Sequence, residues 1–379
     1  MAKIKQIICI SLVLLTFSVN AQNILLGAER TDTYLPWLEN KKVGIIGNQT
    51  SRIAGTHLVD SLLSLGINIV KVFSPEHGFR GKADAGAKIE DGIDIKTGLP
   101  IISLYGSNKK PKPEQLKGID ILVFDIQDVG ARFYTYISTL HCVMEAAAEN
   151  NIPVIVLDRP NPNGHYIDGP ILDIAFRSFV GIHPIPIVHG MTIGEYAKMI
   201  NGENWIVKNC DLTIIEMENY THKMAYDLPI KPSPNLPNTK AINLYPSLCL
   251  FEGTTISIGR GTDSPFQHFG APYLESNYSF TPKSGDGSKF PKHENKTCFG
   301  TDLRFQDNYL TSINLNWIVE AYRQCPEKEK FFNTFFDKLA GTDKLRLQII
   351  GGKTAKEIKV SWQKGLEEFK EMREEYLIY

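Results

Sequence analysis

The stretch "INIVKVFSPEHGFRG", residues 67–81, joins an apolar, branched run to a charged turn. The run Ile67–Phe73 is typical of a strand covered on both faces, and such strands build parallel sheets flanked by helices. The turn places Glu76, His77 and Arg80 beyond the carboxyl end of this strand, where open parallel sheets bind their ligands. The stretch therefore predicts an α/β fold and the edge of the sheet at which a site lies.

Strands alternate with helices on both sides of this stretch. Short, continuous apolar runs predict further strands at Val43–Gly47, Ile101–Leu104, Ile119–Phe124, Val154–Leu157 and Leu212–Met217. Helical spacing predicts helices at Thr56–Leu65 and Ile137–Asn150, and a capping box at Thr192 opens a third, which ends near Asn201. The pattern indicates a parallel sheet covered by helices on both faces.

The composition changes in the second part of the chain. The proline- and asparagine-rich segment between Pro229 and Pro246 is a plausible crossing between domains. Beyond it, Phe251–Thr301 is rich in glycine and aromatic residues and is expected to be irregular or β-rich. The remainder is expected to be helical, and it ends in an amphipathic helix whose apolar stripe comprises Trp362, Leu366, Phe369 and Tyr376.

The amino-terminal residues read as a secretory signal peptide. Lys3 and Lys5 precede an apolar run, and Ala21 provides a small residue for cleavage before Gln22. We therefore expect an exported protein, periplasmic or secreted, without a membrane partner after cleavage; an uncleaved anchor is the alternative. The chain carries 41 basic and 42 acidic residues without a basic run, so we expect no nucleic-acid partner. Five cysteines follow Cys9 without a C-x-x-C motif, so we expect mostly buried thiols and at most one disulfide.

Polar clusters follow four of the predicted strands. They are Asn48–Ser51, Ser74–Gly78, Asp125–Asp128 and Asp158–Gly164. Each alone is compatible with ordinary turn chemistry, but four clusters at one sheet edge describe a site. Within them, Glu76 follows the rigid Pro75 beside an apolar strand, a setting suited to a general acid. His77 is either its partner or an ordinary loop histidine.

Several common chemistries lack their motifs. The sequence contains no G-x-S-x-G elbow, no H-E-x-x-H metal motif and no G-x-G-x-x-G loop. We therefore expect neither a metal nor any other cofactor. The remaining carboxylates, amides, arginines and aromatic residues suit a sugar with an anionic substituent, and a carboxyl pair favours a glycosidase.

Seven segments support a more specific interpretation. They are "GNQTS", "SPEHGFRG", "FDIQDVGARFYTYISTL", "LDRPNPNG", "GMTIGEYA", "PSPNLP" and "CLFEGTTISIGRGTDSPFQHFGAP", in this order from about Val43 to Pro272. In these segments the sequence resembles the exo-β-N-acetylmuramidases, the NamZ-type peptidoglycan hydrolases. The resemblance implies a Rossmann-like domain at residues 22–245, a smaller α+β domain at residues 246–379 and a cleft between them. It also implies release of N-acetylmuramic acid from the non-reducing ends of peptidoglycan-derived muropeptides or disaccharides.

The resemblance also assigns candidate residues. Glu76 is the expected catalytic acid, with His77 beside it, and Asp125 and Asp128 are candidates for the second carboxylate or for holding the sugar. The substrate's own N-acetyl group is the alternative nucleophile. The expected substrate-binding residues are Asn48, Arg80, Arg132, Tyr134, Asp158, Arg159, Asn161, Asn163, Glu252 and Arg260.

The sequence is compatible with two roles for Arg260 and with more than one function for the chain. Arg260 either pairs with the lactyl carboxylate of muramic acid or supports its loop. The chain is either an exo-acting hydrolase or a muropeptide-binding protein that has kept the cleft without catalysis, and an esterase or amidase is a weaker choice.

Overall fold

The computed structural model of the chain describes residues 23–76, 78–80, 91–306 and 308–379. The predicted signal peptide at residues 1–21 and the candidate His77 lie outside these residues. Strands β1 to β9 of the first part are Val43–Gly47, Arg52–Ile53, Thr56–His57, Ile69–Ser74, Gly92–Ile93, Pro100–Ser103, Ile121–Asp125, Val154–Leu157 and Leu212–Ile215. Helices α1 to α5 are Thr31–Leu38, Leu58–Ser64, Pro113–Leu116, Tyr136–Glu149 and Ile193–Gly202.

The remaining elements follow the fifth helix. Strands β10 to β12 are His268–Ala271, Tyr278–Phe280 and Cys298–Asp302. Helices α6 to α12 are Thr239–Leu248, Asn316–Gln324, Lys328–Phe331, Phe335–Ala340, Lys344–Ile350, Ala355–Val360 and Gln363–Glu374. Short 3₁₀ turns lie at Gly27–Glu29, Ile174–Phe176 and Cys249–Gly253.

The main sheet of the described residues has the strand order β5-β6-β4-β1-β7-β8-β9. All neighbouring strands in it are parallel except β5 and β6, which are antiparallel. The parallel strands follow the order third, second, first, fourth, fifth, sixth, which is the order of Rossmann-type domains. The sheet therefore confirms the predicted fold class and brings the loops after β1, β4, β7 and β8 to one edge.

Hydrophobic cores cover the two faces of this sheet. Side chains alternate along each strand, so Ile46, Phe73 and Phe124 pack into one core while Ile45 and Val72 pack into the other. The second core lies against α1 and α2. The first continues through α6 and the carboxyl-terminal helices as far as Tyr376, so both parts of the chain share it.

The ends of the predicted strands and helices of the first part agree with the structure to within about two residues. The strands at Val43–Gly47 and Val154–Leu157 match residue for residue, but the first two residues of the helix predicted from Thr56 form β3 instead. The proline-rich segment is not a linker over its full length. Helix α6 begins inside it because the Asn238 side chain accepts a hydrogen bond from the amide of Ala241 (2.9 Å) and caps the helix.

The carboxyl-terminal part combines a small antiparallel sheet with helices. Strand β12 pairs with both β10 and β11, so the segment predicted to be irregular or β-rich combines three short strands with irregular stretches. The predicted final helix is also confirmed as α12, and its stripe residues Leu366 and Phe369 are buried.

The described residues contain five free cysteines, four of them buried. No helix in this part of the chain is long and apolar enough to cross a membrane.

Candidate active site

Glu76 lies in a cavity that both parts of the chain build, hereafter the Glu76 cavity. Glu76 follows β4, the aromatic residues at the start of α4 form one wall, and Arg260 comes from the carboxyl-terminal part. The lining residues are Glu76, Phe133, Tyr134, Thr135, Tyr136, Ser233, Leu236, Tyr245, Arg260 and Phe266. Three residues predicted from the sequence, Glu76, Tyr134 and Arg260, therefore meet in one cavity.

The Glu76 carboxylate accepts a hydrogen bond from the Tyr105 hydroxyl (3.0 Å to Oε1). Burial and the charge of Glu76 raise the pKa of Tyr105 to about 12, so the tyrosine keeps its proton and remains a donor at neutral pH. Gly78, at φ 77°, completes the turn after Glu76 in a conformation that favours glycine. The turn thus fixes an acid at the end of a strand.

Aromatic rings form the wall opposite. Tyr134 packs edge-to-face against Tyr136 (4.8 Å between ring centroids) and Tyr245 (5.7 Å). The hydroxyl of Tyr134 donates to the carbonyl of Pro232 (2.8 Å), and Asn48 donates to the hydroxyl of Tyr136 (2.9 Å). Asn48 therefore lies behind the wall, where it holds the ring that the cavity uses.

Arg260 is held by Glu252. Its Nε and Nη2 donate to one carboxylate oxygen of Glu252 (2.8 and 2.5 Å), and its guanidinium lies 5.0 Å from the ring centre of Phe266. Burial opposes the positive charge, but Glu252 outweighs it and holds the pKa of Arg260 above its ordinary value. Glu252 uses one edge of the guanidinium, and the edge formed by Nη1 and Nη2 remains suited to an anion.

The two candidate aspartates are not among the residues that line this cavity. Asp125 is fully buried and pairs with Arg159 through two hydrogen bonds (2.5 and 2.9 Å). Asp128 accepts a hydrogen bond from the Gly130 amide (2.6 Å), and burial raises the pKa of Asp128 to about 7. Neither carboxylate therefore faces Glu76 across the lining.

Other predicted substrate-binding residues make structural contacts instead. Asp158 accepts hydrogen bonds from Thr192 Oγ1 and the Gly194 amide and so caps α5. Asn161 donates to the carbonyl of Met191 (2.8 Å), and Asn163 donates to that of Val129 (2.9 Å). These side chains tie neighbouring loops together and do not line the Glu76 cavity.

The two remaining arginines are also occupied elsewhere. Arg132 is fully buried and donates to four backbone carbonyls, those of Pro170, Ile185, Leu339 and Ala340. Arg80 binds the carboxylates of Asp60 and Asp94 at a separate position. The structure therefore does not bring either of them to the cavity.

Sequence reasoning missed several lining residues. Tyr245 and Phe266 reach the cavity from α6 and from the loop before β10, and Ser233 and Leu236 belong to the proline-rich segment. The quoted "PSPNLP" and "FEGTTISIGRGTDSPFQHFGAP" segments contain three of these four, so the resemblance carried a signal that spacing alone did not. Cavity size would not have helped, because a larger cavity, about 470 Å³ beside Trp317, contains none of the predicted site residues.

The described residues contain no cluster of metal ligands. No group of three or more histidine, cysteine, aspartate or glutamate side chains converges there in a way that could hold a metal ion.

The fold and the cavity are typical of proteins that bind or cleave an anionic sugar. A Rossmann-like sheet and a second lobe enclose one carboxylate, one guanidinium and a wall of aromatic rings, and these groups suit such a ligand.

Comparison with known proteins identifies the family. The amino-terminal model of the exo-β-N-acetylmuramidase NamZ family matches residues 43–240, and its carboxyl-terminal model matches residues 243–379. The chain is 43% identical over 383 residues to the peptidoglycan β-N-acetylmuramidase NamZ of Bacillus subtilis (strain 168), covering 92% of this chain and 90% of that one. The chain belongs to the exo-β-N-acetylmuramidase NamZ family.

Solved structures agree with this assignment. Two DUF1343 family proteins from Bacteroides fragilis NCTC 9343 have the same fold. The first is 49% identical with a TM-score of 0.89, and the second is 32% identical with a TM-score of 0.81. Each comparison covers 94% of this chain and 99% of the other.

Proposed function

We propose that this protein is an exo-acting β-N-acetylmuramidase that releases N-acetylmuramic acid from the non-reducing ends of peptidoglycan fragments. The observation that carries the proposal is the meeting of Glu76 and Arg260, from the two parts of the chain, in one aromatic cavity. The activity named for the Bacillus relative supports it.

Glu76 is the proposed general acid. A carboxylic acid beside the glycosidic oxygen donates the proton that the leaving sugar needs, and such catalysis contributes about 10²- to 10⁴-fold to the rate. Tyr105 orients the carboxyl group through its hydrogen bond. His77 stays a candidate partner from the sequence.

Arg260 is proposed to bind the lactyl carboxylate, the group that distinguishes muramic acid from glucosamine. Glu252 holds the guanidinium from one edge, and the free edge matches a carboxylate. The rings of Tyr134 and Tyr136 then provide the apolar surface for the sugar.

The second catalytic group is proposed to be the substrate's own acetamido group. Of the described lining residues, Glu76 is the carboxylate; Asp125 pairs with Arg159, and Asp128 lies outside the lining, where one of its oxygens accepts from the Gly130 amide. Substrate assistance needs one enzymatic acid together with groups that position the acetamido oxygen.

Export completes the proposal. The signal-like residues 1–21 suggest a periplasmic or secreted protein that acts on soluble muropeptides or disaccharides. Amino-terminal sequencing of protein recovered from the cell envelope or medium tests this, and a mature chain that begins at Gln22 is expected.

The decisive experiment compares two nitrophenyl glycosides and one disaccharide. The protein should release nitrophenol from the 4-nitrophenyl β-glycoside of N-acetylmuramic acid and not from the N-acetylglucosamine glycoside. Glu76→Gln should lose at least about 100-fold in kcat on a muramyl-glucosamine disaccharide, and less on the nitrophenyl glycoside because nitrophenolate leaves without a proton. The exposed Glu216→Gln variant is the matched control.

Failure has a clear form. If the folded protein binds the disaccharide but cleaves neither the disaccharide nor the nitrophenyl glycoside of N-acetylmuramic acid, the hydrolase proposal is wrong. A Glu76→Gln variant that retains full activity on the disaccharide would instead refute the role of Glu76 alone.

A further inference from the structure

A second cavity lies at the same edge of the sheet, beside the switch between β1 and β7. Thr50 follows β1, Gln127 follows β7 and Arg159 follows β8, so three strand ends contribute to it. Its volume is about 190 Å³. The lining residues are Ile24, Leu26, Glu29, Thr50, Arg52, Ala54, Gly55, Gln127, Arg159, Tyr226, Leu228, Pro229 and Ile230. Crevices at such switch points are the usual ligand sites of this fold.

The proline-rich segment separates this cavity from the Glu76 cavity. Residues Leu228, Pro229 and Ile230 line the second cavity, while Ser233 and Leu236 line the first. Gln49 anchors the segment between them, since its side-chain amide donates to the carbonyls of Lys231 and Pro232 (3.2 Å each). The two cavities are therefore separate sites, with no lining residue in common.

Arg159 supplies an unused donor to the second cavity. Its side chain is only 5% exposed, and its Nε and Nη2 are occupied by Asp125 and by the carbonyl of Arg52. Its Nη1 makes no hydrogen bond within the described part of the chain. This nitrogen is not fully buried, so it faces open space. The space that Arg159 lines is this cavity.

Glu29 supplies an acceptor to the same cavity. One of its carboxylate oxygens accepts a hydrogen bond from the Leu26 amide (3.0 Å). Burial disfavours the charge on Arg159, but Asp125 and more weakly Tyr226 and Glu29 hold the pKa of Arg159 above its ordinary value. Glu29 and Arg159 thus influence each other electrostatically without forming an ion pair, and both line the cavity.

The charges of the cavity balance. Arg52, Arg159 and Glu29 line the cavity, and Asp125, which pairs with Arg159 from behind, brings the formal charge of these four side chains to zero. A simple anion would offer no donor to Glu29, and a simple cation would offer no acceptor to Nη1 of Arg159. A ligand with both charges satisfies both groups.

We propose that this cavity binds a small zwitterion, an α-amino acid with an apolar side chain. Its carboxylate accepts from Nη1 of Arg159, and its ammonium group donates to Glu29. Its side chain packs against Ile24, Leu26, Leu228 and Ile230. The hydroxyl of Thr50 and the amide of Gln127 border the polar end.

Calorimetry on the purified protein tests the charge requirement. Leucine is the probe, N-acetylleucine lacks the ammonium group, and leucinamide lacks the carboxylate. Leucine should bind at least about tenfold more tightly than either derivative, because N-acetylation removes the ammonium donor for Glu29 and amidation removes the carboxylate acceptor for Nη1 of Arg159. Equal binding of N-acetylleucine would overturn the zwitterion assignment, and no binding of leucine up to about 10 mM would overturn the site.

Variants locate the binding. Glu29→Gln keeps the acceptor for the Leu26 amide, so it should fold, weaken leucine about tenfold and leave N-acetylleucine unchanged. Leu228→Trp fills the cavity and should abolish leucine binding. Arg159→Lys should also weaken leucine binding, with Arg304→Lys as its matched control, because Arg304 forms the same two-bond pair with Asp302 on the surface. Leucine binding that survives Leu228→Trp would place the ligand elsewhere.

Discussion

Three arginines show how the surroundings decide what one side-chain type does. Arg132 gives its donors to four backbone carbonyls, Arg159 shares its donors between Asp125 and a cavity, and Arg260 is held by Glu252 with one edge free. All three belong to segments that suggested substrate binding. Only the hydrogen bonds of the folded chain separate the structural arginine from the two that face cavities.

The Arg260→Lys variant tests whether Arg260 binds the lactyl carboxylate. A lysine ammonium cannot hold Glu252 and a carboxylate with two parallel hydrogen bonds, so the preference for muramyl over glucosaminyl glycosides should fall about 10- to 100-fold. The kcat/KM values of the two nitrophenyl glycosides give this preference directly. Arg304→Lys should leave it unchanged, and an unchanged preference in Arg260→Lys would assign Arg260 to loop support.

Arg132→Lys tests a structural role. One ammonium group cannot reach all four carbonyls, and the buried acceptors left without a donor should cost about 2–4 kcal/mol of the free energy of unfolding. Urea denaturation measures that cost, and the KM of the folded variant should stay at the parent value. A raised KM with unchanged stability would restore Arg132 to the substrate-binding residues.

At the scale of elements, Asp158 connects β8, α5 and the end of the chain. Its carboxylate accepts from Thr192 Oγ1 (2.7 Å), the Gly194 amide (2.8 Å) and the Tyr379 hydroxyl (2.8 Å). Burial and the neighbouring Glu195 raise the pKa of Asp158 to about 7. Asp158, which the sequence predicted to bind the sugar, thus holds three elements together.

Asp158→Ala should therefore lower stability and not specificity. Loss of the helix cap and of the other buried hydrogen bonds should cost about 2–4 kcal/mol, measured as a lower urea midpoint. Tyr379→Phe removes one of these bonds and should cost about 1 kcal/mol. If the Asp158→Ala protein kept its urea midpoint but lost its preference for muramyl glycosides, the structural role proposed for Asp158 would be wrong.

The sequence predicted elements where a local pattern determines them. Continuous apolar runs gave β1 and β8 to the residue, and the Thr192 capping box gave the start of α5, because burial on both faces and capping leave a direct trace in residue order. The sequence prediction missed helix α6, since it contains Pro246 and starts in a proline-rich segment, although Asn238 caps it. The prolines and asparagines that surround the cap favour turns as well as helix starts.

The site was predicted in part for a related reason. Polar residues after a strand serve ligands and helix caps equally well, so Glu76 and Asp158 look alike in the sequence. Tyr245 and Phe266 reach the cavity only because the two parts of the chain pack together, and residue order contains no record of that contact.

At the scale of the molecule, the two parts are joined by a shared core and by buried polar contacts. Arg132 reaches the carbonyls of Leu339 and Ala340, and Asp168 binds both Lys359 (2.8 Å) and the Ile313 amide (2.7 Å). The Glu76 cavity depends on this packing, because its acid and its guanidinium come from different parts. Global stability and the integrity of the site are therefore linked.

Buried histidines make that stability depend on pH. Burial is the largest cause that lowers the pKa of five of them in the folded chain, to about 4 for His57, His141 and His268, about 3 for His189 and about 2 for His183. An unfolded histidine titrates near 6.5. Between pH 6.5 and about 4 the unfolded chain therefore binds protons that the folded chain does not, and stability falls as the pH falls.

Buried aspartates oppose this trend. Burial raises the pKa of Asp128 and Asp158 to about 7, so between about pH 7 and pH 4 the folded chain holds protons that the unfolded chain releases, and this stabilises the fold in acid. Asp125 shifts in the same direction because of its burial. Each group contributes up to about 1.4 kcal/mol per pH unit, and the five histidines outnumber the three aspartates, so the net effect has the sign of the histidines.

We therefore expect the free energy of unfolding to be lower at about pH 5 than at about pH 7 by a few kcal/mol. Urea denaturation at the two pH values measures the difference. His183→Gln should reduce the difference, because it removes a group that takes up a proton only on unfolding. A protein more stable at about pH 5 would mean that the aspartates dominate and that the histidines are less protected from protons than their burial indicates.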